Sequence, residues 1–431
     1  MTRCLVNPLC LFLLVWGVST TLYAGGVYHG LFPFPAGLTV ASVLLNVVAF
    51  SLGCLTWTLF RGLHPTPAEM PPVAGRPLTA EALVRGLRVT LAMGVVALAL
   101  EIYRVVTIAE HFATTWLDLV THPELFRIRM VAFIDQSLFQ TSATVMLLSI
   151  ASSLFSIGFV LLGVLLYLDH KRRRYFYVGA FLTISLVIGL IHLSRYEVTS
   201  NILYLVLAYC FMSSLDRSEH GVSAHFTLQA SHFKLIAPVV AVVLLFGLID
   251  ALLHKSSEYD ASNRLQGWLF HFYWYAAAPL AAFNEFLATF RGDHQWGQSM
   301  FLPLYKWLCR FQLATEVEVS FYGEKVLVPY MSNVYTYLRN FYEDFGILGV
   351  AIVPYILGGA TAAVRVQARR HLQFLNLYLV LLLFILFSFY NYYVASNQVY
   401  LQVLFGFLFF RYEMPGTQRA ALLPLYRDSS T

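Results

Sequence analysis

An arginine flanked by tyrosines stands just before one of the apolar segments of this sequence. The stretch SNVYTYLRNFYEDFGILGV (332–350) contains Arg339 together with Tyr335 and Tyr342. On a continuous helix these three residues share one face, because they follow each other at intervals of four and three. A guanidinium group offers two parallel donors to phosphate oxygens. The pattern favours an anion site, but Arg339 could equally pair with Glu343 one turn further on.

Four other ionisable groups lie in or beside apolar segments. Arg195 follows the fifth segment and has Glu197 close by, so it serves either a ligand or a local ion pair. Glu101 and Arg104 lie within the third segment at i and i+3, so their side chains meet on one helix face. Mutual neutralisation of their charges is favoured over a catalytic role. His192 is a titratable group near Arg195, and a lone histidine is more often structural.

These groups belong to a chain that is far more apolar than a soluble domain. Of its 431 residues, 58% are hydrophobic and only 12% are charged, against about 25% charged in soluble domains. The apolar residues form blocks of about 20, the length that crosses a bilayer. The sequence predicts an all-α, polytopic integral membrane protein with one transmembrane domain and about ten transmembrane helices. The expected spans are 5–23, 37–60, 88–108, 142–168, 175–193, 198–214, 235–253, 345–364, 373–389 and 399–411.

The loops between the expected spans differ in charge and length. Lys and Arg concentrate in alternate loops, most densely at 171–174, and such loops mark the inner side, so both termini are expected inside. Two outer loops are large, at 109–141 and 254–344. The second contains the aromatic stretch 266–290, which is interrupted by Pro279. We expect helices lying in or near the outer interface there. The alternative is a further span that reverses the C-terminal topology.

Several classes of function lack their sequence signatures. The motifs G-x-x-x-x-G-K-[ST], G-x-G-x-x-G and H-E-x-x-H are missing, which argues against ATP-driven transport and zinc proteolysis. The five cysteines form no C-x-x-C pair. Glu316 and Glu318 stand without a neighbouring histidine or aspartate, so we expect no metal and no cofactor. The formal charge of +5 is modest, and no nucleic-acid partner is expected.

The stretch that contains Arg339 resembles a known family signature. The string NVYTYLRNFYEDFGILG (333–349) is similar to that of bacterial oligosaccharide repeat-unit polymerases, the Wzy-type enzymes of O-antigen, capsule and exopolysaccharide assembly. Members show Asn-Val-Tyr-Thr, an arginine, an aromatic pair and Asp-Phe-Gly before a late span. Two weaker pieces also resemble family elements, YAAAPLAAFNEFL (275–287) and SRYEVTSNIL (194–203).

The resemblance implies a polymerisation on the periplasmic face of the bacterial inner membrane, with both termini cytoplasmic. The donor is a growing glycan on undecaprenyl diphosphate, and the acceptor is one repeat unit on the same lipid carrier. A hydroxyl of the acceptor attacks the anomeric carbon of the donor, and the lipid diphosphate leaves. Expected partners are therefore the two lipid-linked glycans, membrane lipid and a chain-length regulator protein.

The resemblance also assigns roles within the candidate site. Arg339 and Arg195 bind the diphosphate, and Asp344 is the candidate base, with Glu343 and His192 behind it. On a straight helix Asp344 lies about 140° round from Arg339. Its alternative role is therefore to cap or orient the following span by accepting backbone N–H bonds. The candidate substrate-binding residues are Tyr335, Thr336, Tyr342, Glu343, His192, Arg104 and Glu101.

Two other functions fit a multi-span chain with a large late outer loop. One is a ligase, similar to O-antigen ligases, that moves a finished glycan to another acceptor. The other, from a different class, is a transporter of lipid-linked sugars. Transporters often show inverted repeats and broken helices at the midplane. The sequence shows neither, and its polar residues concentrate at the outer ends of spans.

Overall fold

The structure is a computed structural model that consists of helices and one small β pair. It describes residues 5–63, 80–111, 143–168, 173–191, 196–219, 264–313, 326–369, 371–390 and 397–412. The helices are α1 (Pro8–Tyr28), α2 (Gly37–Leu63), α3 (Ala80–His111), α4 (Ala143–Leu168), α5 (Arg173–Ile191), α6 (Tyr196–Glu219), α7 (Arg264–Thr289), α8 (Leu302–Arg310), α9 (Leu338–Ala368), α10 (Leu372–Phe387) and α11 (Asn397–Tyr412). The antiparallel strands β1 (Val326–Leu327) and β2 (Met331–Ser332) pair between α8 and α9.

Six of these helices are long and apolar enough to cross a membrane, namely α1, α2, α3, α4, α6 and α9. Helices α5, α10 and α11 are shorter but also apolar, and they coincide with three further expected spans. The helical class expected from the sequence is confirmed for the described residues. Their long apolar helices are consistent with a helical membrane protein. The number of spans stays a prediction, since the expected span 235–253 lies outside the described residues.

The described helices divide into two compact units. Unit 1 contains α1, α2, α8, α9, the β pair and most of α7 and α10. Unit 2 contains α3, α4, α5, α6 and most of α11. The expected single transmembrane domain over residues 1–431 stays a prediction beside this division.

Unit 2 packs around α4 through small residues and a polar bridge. Gly158 of α4 faces the ring of Phe181, where any Cβ would collide with the ring. Beside this contact, Asn201 accepts a hydrogen bond from Ser156 Oγ at 2.9 Å and donates one to Ser185 Oγ at 3.1 Å. Amide and hydroxyl side chains commonly join helices in membranes in this way. The bridge ties α4, α5 and α6 together.

Unit 1 is built on a close crossing of α2 and α9. Gly53 on α2 lies against the carbonyl oxygen of Tyr355, and Gly358 on α9 lies against the carbonyl oxygen of Phe50. A Cβ at either glycine would collide with the opposing backbone. Small residues let membrane helices approach at backbone distance, where van der Waals packing replaces the hydrophobic effect.

Helix α7 differs from the expectation for 266–290. It is one helix that continues through Pro279, and its middle is buried inside unit 1. Its expected position near the outer interface stays a prediction. Alanines allow this close approach: Ala277, Ala278, Ala281 and Ala282 are at most 1% exposed. At the buried end, Asn284 Oδ1 accepts bonds from the N–H of Ala36 at 2.8 Å and from Thr39 Oγ1 at 2.7 Å. This amide therefore satisfies donors at the beginning of α2.

Candidate functional site

Helix α9 bends sharply near its beginning. Gly346 has φ 60° and ψ −148°, a conformation that is almost restricted to glycine. The carbonyl oxygen of Phe341 lies so close to Gly349 that a Cβ there would collide with it. The segment before Gly346 therefore folds back on the first turn after it. The remainder, from Ile347 to Ala368, is long enough to cross a hydrocarbon core of about 30 Å.

The chain before α9 is not helical, which corrects the assumption of one helix from 334 to 345. The helix begins at Leu338, so Tyr335 lies outside it. The Ser332 hydroxyl accepts the N–H two residues further on, at 3.2 Å, and this local bond competes with a helical turn. The prediction that Tyr335 and Arg339 share one helix face is therefore wrong. Their side chains are nevertheless in contact, because the chain before the helix brings the tyrosine ring to the guanidinium.

Tyr337 anchors this entry into α9. Its hydroxyl donates to Asn46 Oδ1 at 2.6 Å, and its N–H donates to the carbonyl of Ser388 at 2.9 Å. Trp16 Nε1 donates to the hydroxyl of the same serine at 2.9 Å. Burial raises the pKa of Tyr337 well above its ordinary value, so the phenol stays neutral and donates its proton. Arg339, two residues further on, is thus held by a fixed backbone.

The guanidinium of Arg339 lies between two aromatic rings. Its central carbon is 4.4 Å from the ring centroid of Tyr335 and 5.2 Å from that of Phe286. Nη2 is 3.7 Å from Glu343 Oε1, which is too long for a hydrogen bond. Nε is buried and has no hydrogen-bond partner among the described residues. The group is therefore positioned by stacking, while its hydrogen-bonding capacity is only partly used.

Glu343 is tied more closely to a serine than to Arg339. Its Oε2 accepts a hydrogen bond of 2.8 Å from Ser299 Oγ, and Asn340 Nδ2 donates to that same hydroxyl at 2.8 Å. The local ion pair considered as the alternative for Arg339 is therefore formed only loosely. A second anion near the guanidinium does not have to displace a short contact.

Asp344 accepts hydrogen bonds from the backbone with both carboxylate oxygens. Oδ1 accepts the N–H of Ser299 at 3.0 Å, and Oδ2 accepts the N–H of Met300 at 2.7 Å. The side chain is fully buried. This is the structural role considered as the alternative to catalysis, but the stabilised turn precedes α8 and not the following span. The role of Asp344 as general base stays a prediction.

An aromatic cluster extends from the arginine toward the surface and was missed by the sequence reasoning. The ring of Tyr342 lies 6.3 Å from that of Phe286, 6.0 Å from that of Phe290 and 6.2 Å from the imidazole of His294. Phe286 and Phe290 stand at i and i+4 near the end of α7, which is the one sequence signal that these rings share a face. Sugar rings stack favourably on such partly exposed aromatic surfaces.

His294 in this cluster is exposed, and one of its ring nitrogens contacts a backbone carbonyl. Its Nδ1 lies 3.3 Å from the carbonyl oxygen of Glu343. A carbonyl can only accept, so we infer that Nδ1 carries the hydrogen in this contact. In the neutral imidazole, Nε2 is then a proton acceptor. A Cβ at Gly346 would lie 2.9 Å from Nε2, so the bend in α9 and the imidazole fit each other.

The other candidate residues lie elsewhere or outside the described residues. Arg104 Nη2 and Glu101 Oε2 are 2.8 Å apart on α3 in unit 2, which confirms the predicted meeting of these side chains. Thr336 in unit 1 is buried, and its hydroxyl has no hydrogen-bond partner in the described ranges. His192 and Arg195 lie outside the described residues, so their roles stay predictions.

The described residues contain no group of three or more His, Cys, Asp and Glu side chains that is suited to a metal ion. The chain matches no family model, and neither the curated proteins nor the solved structures contain a match to it. The candidate site is therefore interpreted from its own chemistry and from the motif described above.

Proposed function

We propose that the protein is a membrane glycosyltransferase that polymerises undecaprenyl-diphosphate-linked oligosaccharide repeat units on the periplasmic face of the bacterial inner membrane. One observation carries the proposal. Arg339 stands in the segment that folds back just before the part of α9 long enough to cross a membrane, held between Tyr335 and Phe286 with its Nε unpaired among the described residues. A cation at this position suits a phosphate group at the end of a lipid chain.

The reaction places its negative charge where Arg339 can act. As the bond between the anomeric carbon and the diphosphate breaks, its electron pair leaves with the diphosphate oxygen. A fixed guanidinium stabilises this charge without reorganising, which is how prepositioned donors lower a barrier. The two rings keep the guanidinium in place before the substrate arrives, and the loose contact to Glu343 leaves donors for the phosphate oxygens.

The aromatic cluster supplies a surface on which a sugar of the donor or of the acceptor glycan can stack. The ring centroids of Tyr342, Phe290 and His294 lie 6.0–6.2 Å from each other, and Tyr342 also contacts Phe286, one of the two rings beside Arg339. The acceptor hydroxyl gives up its proton as it attacks the anomeric carbon. We assign this proton to Nε2 of His294, since the imidazole is exposed to an incoming sugar whereas the side chain of Asp344 is fully buried.

Gene deletion followed by electrophoresis of the surface glycan tests the class of reaction. A polymerase mutant leaves glycans that are capped by a single repeat unit. Loss of all capping would instead indicate a ligase or a transporter of lipid-linked sugar and would contradict the proposal. A plasmid copy of the wild-type gene should restore the ladder of long chains, and Arg195→Ala and Arg339→Ala copies should not, at equal protein level.

Purified protein tests the proposal without the cell. Full-length protein in lipid nanodiscs, supplied only with the lipid-linked repeat unit, should convert it into a ladder of longer lipid-linked glycans. Addition of the unlinked oligosaccharide in place of the lipid-linked donor should give no ladder, because no diphosphate can leave. Products in which glycan is transferred only to an added non-carrier acceptor would favour the ligase.

A further inference from the structure

The short helix α8 exposes a row of large apolar side chains, which is unusual for a helix that faces water. Phe301, Leu304, Trp307 and Phe311 follow at intervals of three, three and four and are between 37% and 71% exposed. At 100° per residue they occupy one face. Lys306 lies on the opposite side of the helix and is only partly exposed. A helix packed against a soluble domain shows the reverse pattern.

Trp296 extends this apolar face, and the backbone holds it outward. The residue has φ 50°, a left-handed conformation that costs a bulky residue about 1–2 kcal/mol. Two hydrogen bonds maintain it: its N–H donates to the carbonyl of Asp344 at 3.2 Å, and its carbonyl accepts from the Tyr305 hydroxyl at 3.2 Å. The indole is nevertheless 76% exposed. Its position is thus fixed although the described residues cover little of it.

The same face is continuous with the apolar surface of the membrane-crossing part of α9. The indole of Trp296 lies 6.4 Å from the ring of Phe345, directly before the bend at Gly346. Leu348 and Ile352, which follow the bend, are 65% and 53% exposed, as expected for side chains that face lipid. Tryptophan is enriched at the level of the lipid headgroups. A bilayer around α9 therefore reaches Trp296 first and α8 next.

We propose that the face formed by Trp296, Phe301, Leu304, Trp307 and Phe311 inserts into the headgroup and upper acyl region of the bilayer, on the side of the membrane where α9 begins. The helix lies in the plane of the interface, as amphipathic anchors do. Because Asp344 and Ser299 join the α8 turn to the Arg339 segment, this anchor fixes the depth of Arg339 at the phosphate level of the lipids. The anchoring does not depend on the reaction proposed above.

Spin-label depth measurements test the anchor in full-length protein. In a background in which all cysteines are replaced by serine, single Leu304→Cys and Phe311→Cys variants are labelled and reconstituted in phosphatidylethanolamine–phosphatidylglycerol nanodiscs without any lipid-linked glycan. The ratio of relaxation by oxygen to relaxation by a water-soluble nickel chelate should be severalfold higher than for Asp293→Cys, an exposed loop control. It should approach the ratio of Leu348→Cys on α9.

Two outcomes overturn the proposal. One is a ratio at both α8 positions that equals the ratio at Asp293→Cys. The other is a dipolar broadening that disappears on dilution with unlabelled protein, which shows that a second copy covers the face. Wild-type protein provides an independent measurement if the cysteine-free background does not fold. A lipid that carries a photoactivatable diazirine near its glycerol should label the peptide 301–311, and an unlabelled peptide beside labelled α9 refutes the anchor.

Discussion

The pair Glu101–Arg104 on α3 and the pair Arg339–Glu343 on α9 join the same two functional groups in different geometry. The first is closed, with 2.8 Å between Nη2 and Oε2. The second is open, with 3.7 Å between Nη2 and Oε1, and its carboxylate bonds to Ser299 instead. Both pairs are largely buried, with side-chain exposures of 3–15%.

The difference in distance indicates that the two pairs have different roles in this apolar chain, one in stability and one in ligand binding. In a closed pair the attraction between the two charges offsets part of the desolvation cost of each, and little field remains for a ligand. An open pair that is held by aromatic rings and a serine keeps its arginine in place with donors to spare. The four predictions below test whether the closed pair serves stability and the open pair serves binding.

The largest expected effect is on stability, at the closed pair. Glu101→Gln or Arg104→Met removes one ion of a 2.8 Å buried pair and should cost about 3–5 kcal/mol of the free energy of unfolding. The double variant Glu101→Leu/Arg104→Met should recover most of this loss. Unfolding titrations in bicelles measure both. Single variants as stable as the wild type would refute the assignment, and long glycans from the double variant would remove both residues from the candidate binding set.

The next largest effect is on activity, at the open pair. Arg339→Ala should reduce polymer formation about 10²- to 10³-fold, the usual cost of removing a donor that stabilises developing charge. Arg339→Lys should rescue poorly, since an ammonium group lacks the bidentate fork. Chain-length electrophoresis at equal protein level provides the readout. Arg291→Ala is the control, because this exposed arginine of the neighbouring loop bonds only a backbone carbonyl among the described contacts.

A smaller effect is expected at Asp344, mainly on stability. Asp344→Asn keeps the shape of the side chain but replaces one of the two acceptors of the backbone N–H bonds with a donor, which should cost about 1–3 kcal/mol. Polymer formed per folded molecule should stay within about tenfold of the wild type. The exposed Asp293→Asn provides the matched control. If activity falls much further while stability holds, Asp344 is the base and the proton assignment to His294 is wrong.

The smallest effect concerns the stacking that keeps the pair open. Phe286→Leu removes one ring from the guanidinium and should cost about 0.5–1 kcal/mol, a two- to fivefold loss of polymer formation. Phe283→Leu lies one turn earlier on α7, where the described residues place no guanidinium on its ring. It should lower stability without this loss per folded molecule. Equal activity losses in the two variants would show that packing alone is responsible.

Features that depend on neighbours in sequence could be predicted, and features that depend on distant segments could not. The apolar blocks predicted the helices, because span length needs no tertiary information. Glu101 and Arg104 stand one turn apart, so their meeting followed from helix geometry. The contacts of Asp344 to Ser299 and of Arg339 to Phe286 join segments more than forty residues apart, and helical periodicity describes the face of one helix only.

The bend at Gly346 is a second feature that could not be predicted from sequence, although it lies within a single helix. A lone glycine in an apolar helical run is usually tolerated without a break, so the string before it was interpreted as a continuous helix. The fold-back requires a second glycine, Gly349, to admit the carbonyl of Phe341. Nothing in the spacing of these letters shows that close approach, because it depends on backbone dihedral angles.

The hydrogen bonds of unit 1 have a consequence for biosynthesis. Helix α1 and the segment just before it bond to residues that the ribosome delivers much later: Trp16 donates to Ser388, and the carbonyl of Val6 accepts from Tyr378, both across 372 residues of sequence. The N-terminal helices are made first and their partners arrive after about twenty seconds or more of translation, at 5–20 residues per second. During that interval these polar groups face lipid, translocon or chaperone. Loss of the C-terminal helices should therefore expose the N-terminal helices to membrane quality-control proteases.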